Sequence, residues 1–225
     1  MAGISTSGAV PIRAALFDLD GTLVATEHRS RAAWTRLFHT HGLEADEALL
    51  ATFVGRRGQE ALADHVHRFS GSTVNELFDE AVGYLNSPAI PPPYPVAGAE
   101  ALVKKLYTER VPMAVVTSGL REHAHALLDH VGGANLFTAV ITAEDVRQGK
   151  PHPEGFLAGC AALGVDPAQA VAFEDAPAGI AASKAAGLTC VGLTTTHAAE
   201  ALAAADLIVP DLAGINWPPL SMTAA

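Results

Sequence analysis

Much of the chain alternates between two periods. From residue 98 onward, short apolar runs are each followed by a stretch with helical spacing. The runs over residues 112–117, 139–142, 170–173, 189–193 and 207–209 are too short for helices. They are apolar throughout, as strands buried on both faces are. Between them, residues 100–109, 120–131, 153–163 and 178–186 read as helices. Pro153 opens one of these and Gly187 closes another. One more apolar run, residues 13–17, stands far upstream. Strand–helix alternation of this kind dictates an α/β fold, a doubly wound parallel sheet with helices on both faces.

Residues 25–89 interrupt that pattern. Ala32, Ala33, Leu37 and Phe38 recur at helical spacing, then Leu62, Val66 and Phe69, then Leu77, Ala81 and Leu85, with no convincing strand among them. The block ends in a proline-rich run over residues 88–95, which reads as a stiff extended connector. The expected organisation is a core of residues 1–24 and 93–225, with a helical cap of residues 25–92 inserted after the first strand. Residues 1–11 lack the charged and apolar regions of a signal peptide and read as a loose tail.

Ligands of an open parallel sheet bind beyond the carboxyl ends of its strands. The first strand runs into Asp18-Leu19-Asp20-Gly21-Thr22. Residues two apart on a strand point to one side, so Asp18 and Asp20 aim into one pocket. At ~4 Å two such carboxylates repel by about 4 kcal/mol at an effective dielectric of about 20, so they call for a cation or a shared proton. The second strand ends at Thr117-Ser118-Gly119. Lys150 follows the third, and Glu174-Asp175 ends the fourth. Singly, each has an ordinary reading as a turn, a surface lysine or a helix cap. Together, at four strand ends, they match the needs of a phosphate monoester. One carboxylate attacks phosphorus and a second moves protons. A hydroxyl and helix-start amides hold the phosphate oxygens. A lysine and a hard divalent ion balance the charge.

The overall charge makes those local cations necessary. Lys and Arg number 14 against 24 Asp and Glu, a formal net charge of -10. This disfavours nucleic acid and anionic membranes as partners. No apolar run reaches the about 18 residues of a membrane span. Cys160 and Cys190 sit in apolar surroundings and read as free thiols of a reducing compartment. A cytoplasmic, monomeric enzyme is expected.

The four motifs resemble those of the haloacid dehalogenase superfamily, specifically phosphatases with a small helical cap. Asp18-x-Asp20-Gly21-Thr22 matches the first motif and Val116-Thr117-Ser118-Gly119 the second. Gly149-Lys150-Pro151 matches the third, and Glu174-Asp175-Ala176-Pro177-Ala178-Gly179 the fourth. The stretches 141–156 and 173–187 are most similar to sugar phosphatases and glycerol-phosphate phosphatases. The resemblance implies that Asp18 is the nucleophile, Asp20 the acid/base and Lys150 the catalytic cation. It implies Mg²⁺ held by Asp18, Asp175 and the main-chain carbonyl of Asp20, with Glu174 supporting it directly or through water. Thr117, Ser118 and Gly119 would bind phosphate, and Arg56 and Arg57 on a cap loop would contact the substrate, a small phosphorylated sugar or polyol. Ala25 departs from the family pattern, standing where many relatives have Asp at the cap entrance.

The histidine pairs His39/His41, His65/His67 and His123/His125 read as solvated or capping, because residues two apart on a helix face different ways. His28 is a candidate to face the pocket, and Trp34 reads as core. Two alternatives remain. A β-phosphoglucomutase-like enzyme would share the chemistry of Asp18, but the positions of the mutases' cap-entrance His and cap-loop Arg hold Ser30 and Gly58. A non-catalytic binding module would lose a motif residue, and none is lost.

Overall fold

The structure is a computed structural model and describes residues 11–85 and 87–219. The expected N-terminal tail, apart from Pro11, lies outside the described residues. A six-stranded parallel sheet is built from β1 (Ala14–Phe17), β4 (Met113–Val116), β5 (Ala139–Ile141), β6 (Ala170–Glu174), β7 (Thr189–Leu193) and β8 (Leu207–Val209). Its order is β5-β4-β1-β6-β7-β8. The chain winds from β1 outward to β5, then returns to the other side of β1 for β6. That reversal leaves a crevice at the carboxyl end of β1.

Alternation along β1 explains why both faces are covered. Ala15 and Phe17 enter a core shared with Leu102, Val103 and Leu106 of α5 (Ala99–Thr108), and with Leu127 and Leu128 of α6 (Arg121–Leu128). Ala14 and Leu16 enter the opposite core with Phe156 and Cys160 of α7 (Glu154–Leu163), and with Ile180 and Ala182 of α8 (Pro177–Ala185). Phe17 stacks on Phe173 of the neighbouring strand at 4.7 Å. The sheet is thus doubly wound, as the alternation predicts. No helix among the described residues is long and apolar enough to cross a membrane.

Between β1 and β4 lie α1 (Glu27–Thr40), α2 (Glu47–Ala51), α3 (Gly58–His65) and α4 (Val74–Leu85). They bury a cluster of their own, with Leu37, Phe38, Phe53, Leu62, Phe69 and Leu77 at its centre. The connections to the core differ from expectation. The block expected to be free of strand, residues 25–89, begins in one: β2 (Val24–Ala25) pairs antiparallel with β3 (Tyr94–Pro95), Val24 opposite Pro95. Pro95 is tolerated there because this ribbon is only two strands wide, so its missing N–H leaves no partner unsatisfied on a further strand. The proline-rich run therefore ends in one strand of a two-stranded ribbon.

Candidate active site

The loop after β1 is drawn tight by its own backbone. The carbonyl of Leu19 accepts from the N–H groups of Thr22, Leu23 and Val24, and Gly21 N–H donates to Val24 O at 2.7 Å. Gly21 has φ +87°, and a Cβ there would lie 2.2 Å from Asp175 Oδ2. Only glycine allows this turn and this approach together. The loop so formed leaves Asp18 buried at the floor of the crevice and Asp20 half-buried above it.

The third and fourth sequence motifs converge on Asp18, and the second meets Asp20. Lys150 Nζ donates to Asp18 Oδ1 at 2.5 Å and to Glu174 Oε1 at 2.6 Å. Glu174 and Asp175, at the end of β6, are each 1% exposed. The Glu174 carboxylate lies against Gly179 in α8, where a Cβ would come within 2.0 Å of it, so only glycine fits there. Asp175 accepts from Thr22 Oγ1 at 3.2 Å and from Thr196 Oγ1 at 2.5 Å. Asp20 turns elsewhere: its Oδ1 accepts from Thr26 Oγ1 at 2.7 Å and lies 3.4 Å from His123 Nε2, while Thr117 Oγ1 is 3.5 Å from Oδ2.

One lysine does not balance this many buried carboxylates. Burial raises Asp18, with Lys150 pulling down and Asp20 adding to the rise. Burial also raises Glu174 well above the ordinary range and pushes Asp175 up to about 8, the charge of Asp18 contributing to both. Burial opposes the charge of Lys150, but Asp18 and Glu174 outweigh it and hold the ammonium above the ordinary lysine range. Asp20 is lowered: His123 and Thr26 outweigh its burial. Asp18, Glu174 and Asp175 each offer an oxygen, all within 4.8 Å of one another. Three buried, fixed oxygen donors carrying uncompensated negative charge fit a hard divalent cation.

The structure brings the expected residues to one crevice. Asp18, Asp20, Thr117, Ser118, Gly119, Arg56 and Arg57 all line a cavity of about 200 Å³ between cap and core. The two arginines are already engaged. Arg57 Nη2 donates to the carbonyls of Ala143 and Val146, both at 2.7 Å, and Arg56 pairs with Asp64 at 3.0 Å. Arg57 Nε is buried and, among the described residues, without a partner. Ser118 Oγ donates to Gly55 O at 3.3 Å, and Gly55 sits against Ala176, with no space for a side chain. The cap is thus seated on the core.

Several residues stand where sequence reasoning did not put them. His123 is not merely solvated, since it faces Asp20. His41 pairs with Glu80 at 2.9 Å, and His65 stacks on Phe53. His28 does not line the cavity; it lies 3.3 Å from Pro91 O and stacks on Tyr94 of β3. Trp34 packs on Phe53 but also lines the cavity. Thr196, His197 and Thr195 were unforeseen: the first two contact Asp175 and the third donates to Gly21 O at 2.6 Å.

The model of the haloacid dehalogenase-like hydrolase family matches residues 15–193, most of the chain and all four strand ends. The chain belongs to the haloacid dehalogenase-like hydrolase family. It is 52% identical to a validoxylamine A 7'-phosphate phosphatase of Streptomyces hygroscopicus subsp. limoneus, over 92% of this chain and 97% of that protein. It is 32% identical to hexitol phosphatase A of Escherichia coli (strain K12), over 89% and 92%. Among solved structures, a β-phosphoglucomutase from Clostridium difficile superposes with a TM-score of 0.78 at 25% identity, covering 92% and 94%. The chain is a hydrolase, and the first of these relatives are named phosphatases.

Proposed function

We propose that this hydrolase is a Mg²⁺-dependent phosphatase that cleaves a small sugar or polyol phosphate through an aspartyl-phosphate. The observation that carries the reading is the buried cluster of Asp18, Lys150, Glu174 and Asp175, with Asp20 held apart from it. Lys150 grips one oxygen of Asp18 and leaves the other to attack phosphorus. Asp20, steadied by Thr26, protonates the leaving oxygen. It then takes a proton from the water that cleaves the aspartyl-phosphate. Ser118 and the amides that follow it hold the phosphoryl oxygens, once Ser118 releases Gly55. Asp18, Glu174, Asp175 and the main-chain carbonyl of Asp20 would hold Mg²⁺, which neutralises charge on the phosphoryl group when bound. The seated cap keeps bulk water from the reacting centre.

The named substrates of the relatives, a validoxylamine phosphate and hexitol phosphates, support a polyhydroxylated leaving group. Hydrolysis is favoured over mutase chemistry at the cap. Ser30 lines the cavity where the mutases' His would stand. Gly58 is wedged so that a Cβ would lie 2.7 Å from the Phe78 ring, which leaves no place for an arginine side chain. The reading carries with it a cytoplasmic, monomeric enzyme, in keeping with its two free, buried thiols.

The test is phosphate release from a panel of sugar and polyol phosphates, with Mg²⁺ and with EDTA, together with ³¹P NMR on β-glucose 1-phosphate. Inorganic phosphate should appear with Mg²⁺ only, and Asp18→Asn should abolish it. Rapid formation of the 6-phosphate with little free phosphate would overturn the phosphatase reading.

A further inference from the structure

Besides the core residues of the phosphate site, the cavity is lined by cap residues, and the leaving group must meet these. Glu27, Ser30 and Trp34 stand three and four residues apart on α1, so one face of that helix lines it. Phe53 and Phe78 stand among the apolar side chains of the other cap walls. Among the described residues, Glu27 is the one carboxylate the cap contributes to this lining. It is half-buried, and among the described residues no hydrogen-bond donor reaches its carboxylate. Arg31, one turn further along α1, pairs with Glu47 instead. The cap's other cations at the cavity are committed, Arg56 to Asp64 and Arg57 to core carbonyls.

A carboxylate is a strange wall for a site that receives an anion. Its place in the first turn of α1 eases the charge through the helix's positive end. That alone would suit a solvated glutamate, and this one faces the cavity. Burial pushes its carboxyl up to about 7, with Arg31 opposing and Asp20 adding to the rise. The helix end and Arg31 compensate this charge only in part, and the occupant of the cavity is the natural source of the rest. A second anionic group on the substrate is repelled. Hydroxyls are accepted, and an ammonium is matched by the carboxylate, in a cavity that Trp34 and Phe53 also line.

We propose that Glu27 selects a phosphate monoester whose leaving group carries an ammonium, that is, an amino-sugar or amino-polyol phosphate. The inference rests on the phosphatase reading above. Glu27 holds the amine while the phosphate lies at Asp18, and so fixes which end of the substrate enters the core. A single charge-assisted hydrogen bond of this kind is worth about 10- to 100-fold in kcat/KM over the matching hydroxyl compound.

The experiment measures phosphate release from matched probes that differ in one group. Glucosamine 6-phosphate is set against glucose 6-phosphate, and 1-amino-1-deoxysorbitol 6-phosphate against sorbitol 6-phosphate, so that the amine is offered at two distances. 6-Phosphogluconate is the anionic control. The wild-type enzyme should prefer at least one amine over its hydroxyl partner by about 10-fold or more and should use 6-phosphogluconate worst. Glu27→Gln should bring the amine-to-hydroxyl ratio within about twofold of unity, since it keeps size and loses charge. Equal turnover of amine and hydroxyl partners by the wild-type enzyme in both pairs would overturn the proposal whether or not the variant folds. So would a preference that survives Glu27→Gln. Failure to release phosphate from every probe, p-nitrophenyl phosphate included, would instead overturn the phosphatase reading and this inference with it.

Discussion

Replacing Lys150 with methionine removes the one cation of the buried cluster while keeping the side chain's bulk beside Phe156, whose ring lies 5.4 Å from Nζ. Lys150 is 5% exposed and bonds Asp18 and Glu174 at 2.5 and 2.6 Å. Without it, three carboxylates with oxygens within 4.8 Å of one another face no positive charge. At that separation each pair repels by about 3.5 kcal/mol at an effective dielectric of about 20. Proton uptake caps the total, so the net loss should match that of other broken buried pairs, about 3–5 kcal/mol. For a chain of this size each kcal/mol moves Tm by about 2–4 °C. In EDTA, Lys150→Met should therefore melt about 6–20 °C below the wild-type enzyme. Glu174→Gln alone should also destabilise, because Lys150 loses a charged partner. Combined, the two should not add: removing one carboxylate relieves the cluster, and the double variant should melt above Lys150→Met. Circular-dichroism melts of the four proteins complete the cycle. A double variant that melts below both singles, or a Lys150→Met protein as stable as the wild type, would refute the charge argument.

Three further outcomes are expected. Asp20→Asn should lower kcat by about 10²–10⁴-fold while leaving the melting curve near that of the wild type, as read by phosphate release; a loss under tenfold would remove Asp20 from proton transfer. Arg57→Ala deletes the bonds to Ala143 and Val146 that seat the cap. Amides of residues 143–149 should then exchange hydrogen faster while those of β1 and β6 keep their protection, and unchanged exchange would mean that Arg57 is not a latch. Thr196→Val deletes the hydroxyl on Asp175. It should weaken Mg²⁺ binding about 10- to 100-fold by calorimetry, and unchanged affinity would show that Asp175 needs no such support.

What was legible in the sequence is what local chemistry encodes. The strands of the sheet are continuous apolar runs because they are buried on both faces, and the motif residues stand at their ends because turns begin there. Asp18, Lys150 and Glu174 could be gathered from topology alone. The two-stranded ribbon could not, because two residues a side are too few for a period and a proline in β3 argues against a strand. Thr196 and His197 lie in a loop without pattern, and they reach Asp175 only because β7 runs beside β6. His123 was hidden by its pairing with His125. On α6 the two do point apart, and one of the two directions happens to be that of Asp20. Glu27 was illegible for a related reason: a first-turn glutamate is ordinary on any helix, and only the closed cap makes it a wall.

The two-stranded ribbon of β2 and β3 bears on how such a protein changes over generations. Val24 lies opposite Pro95 and Ala25 opposite Tyr94, so the inserted helices leave and rejoin the core at one point. Seen from the sheet, they form a loop whose ends are already tied. The entropy of closing a loop grows only with the logarithm of its length, so exchanging these helices for a longer or shorter set barely alters the stability of what lies beneath. The inserted helices carry one wall of the cavity, while Asp18 and Lys150 stand on the sheet's own strands and loops, which the cap touches through Arg57 and Gly55. A lineage built this way can explore new substrates without risking its chemistry.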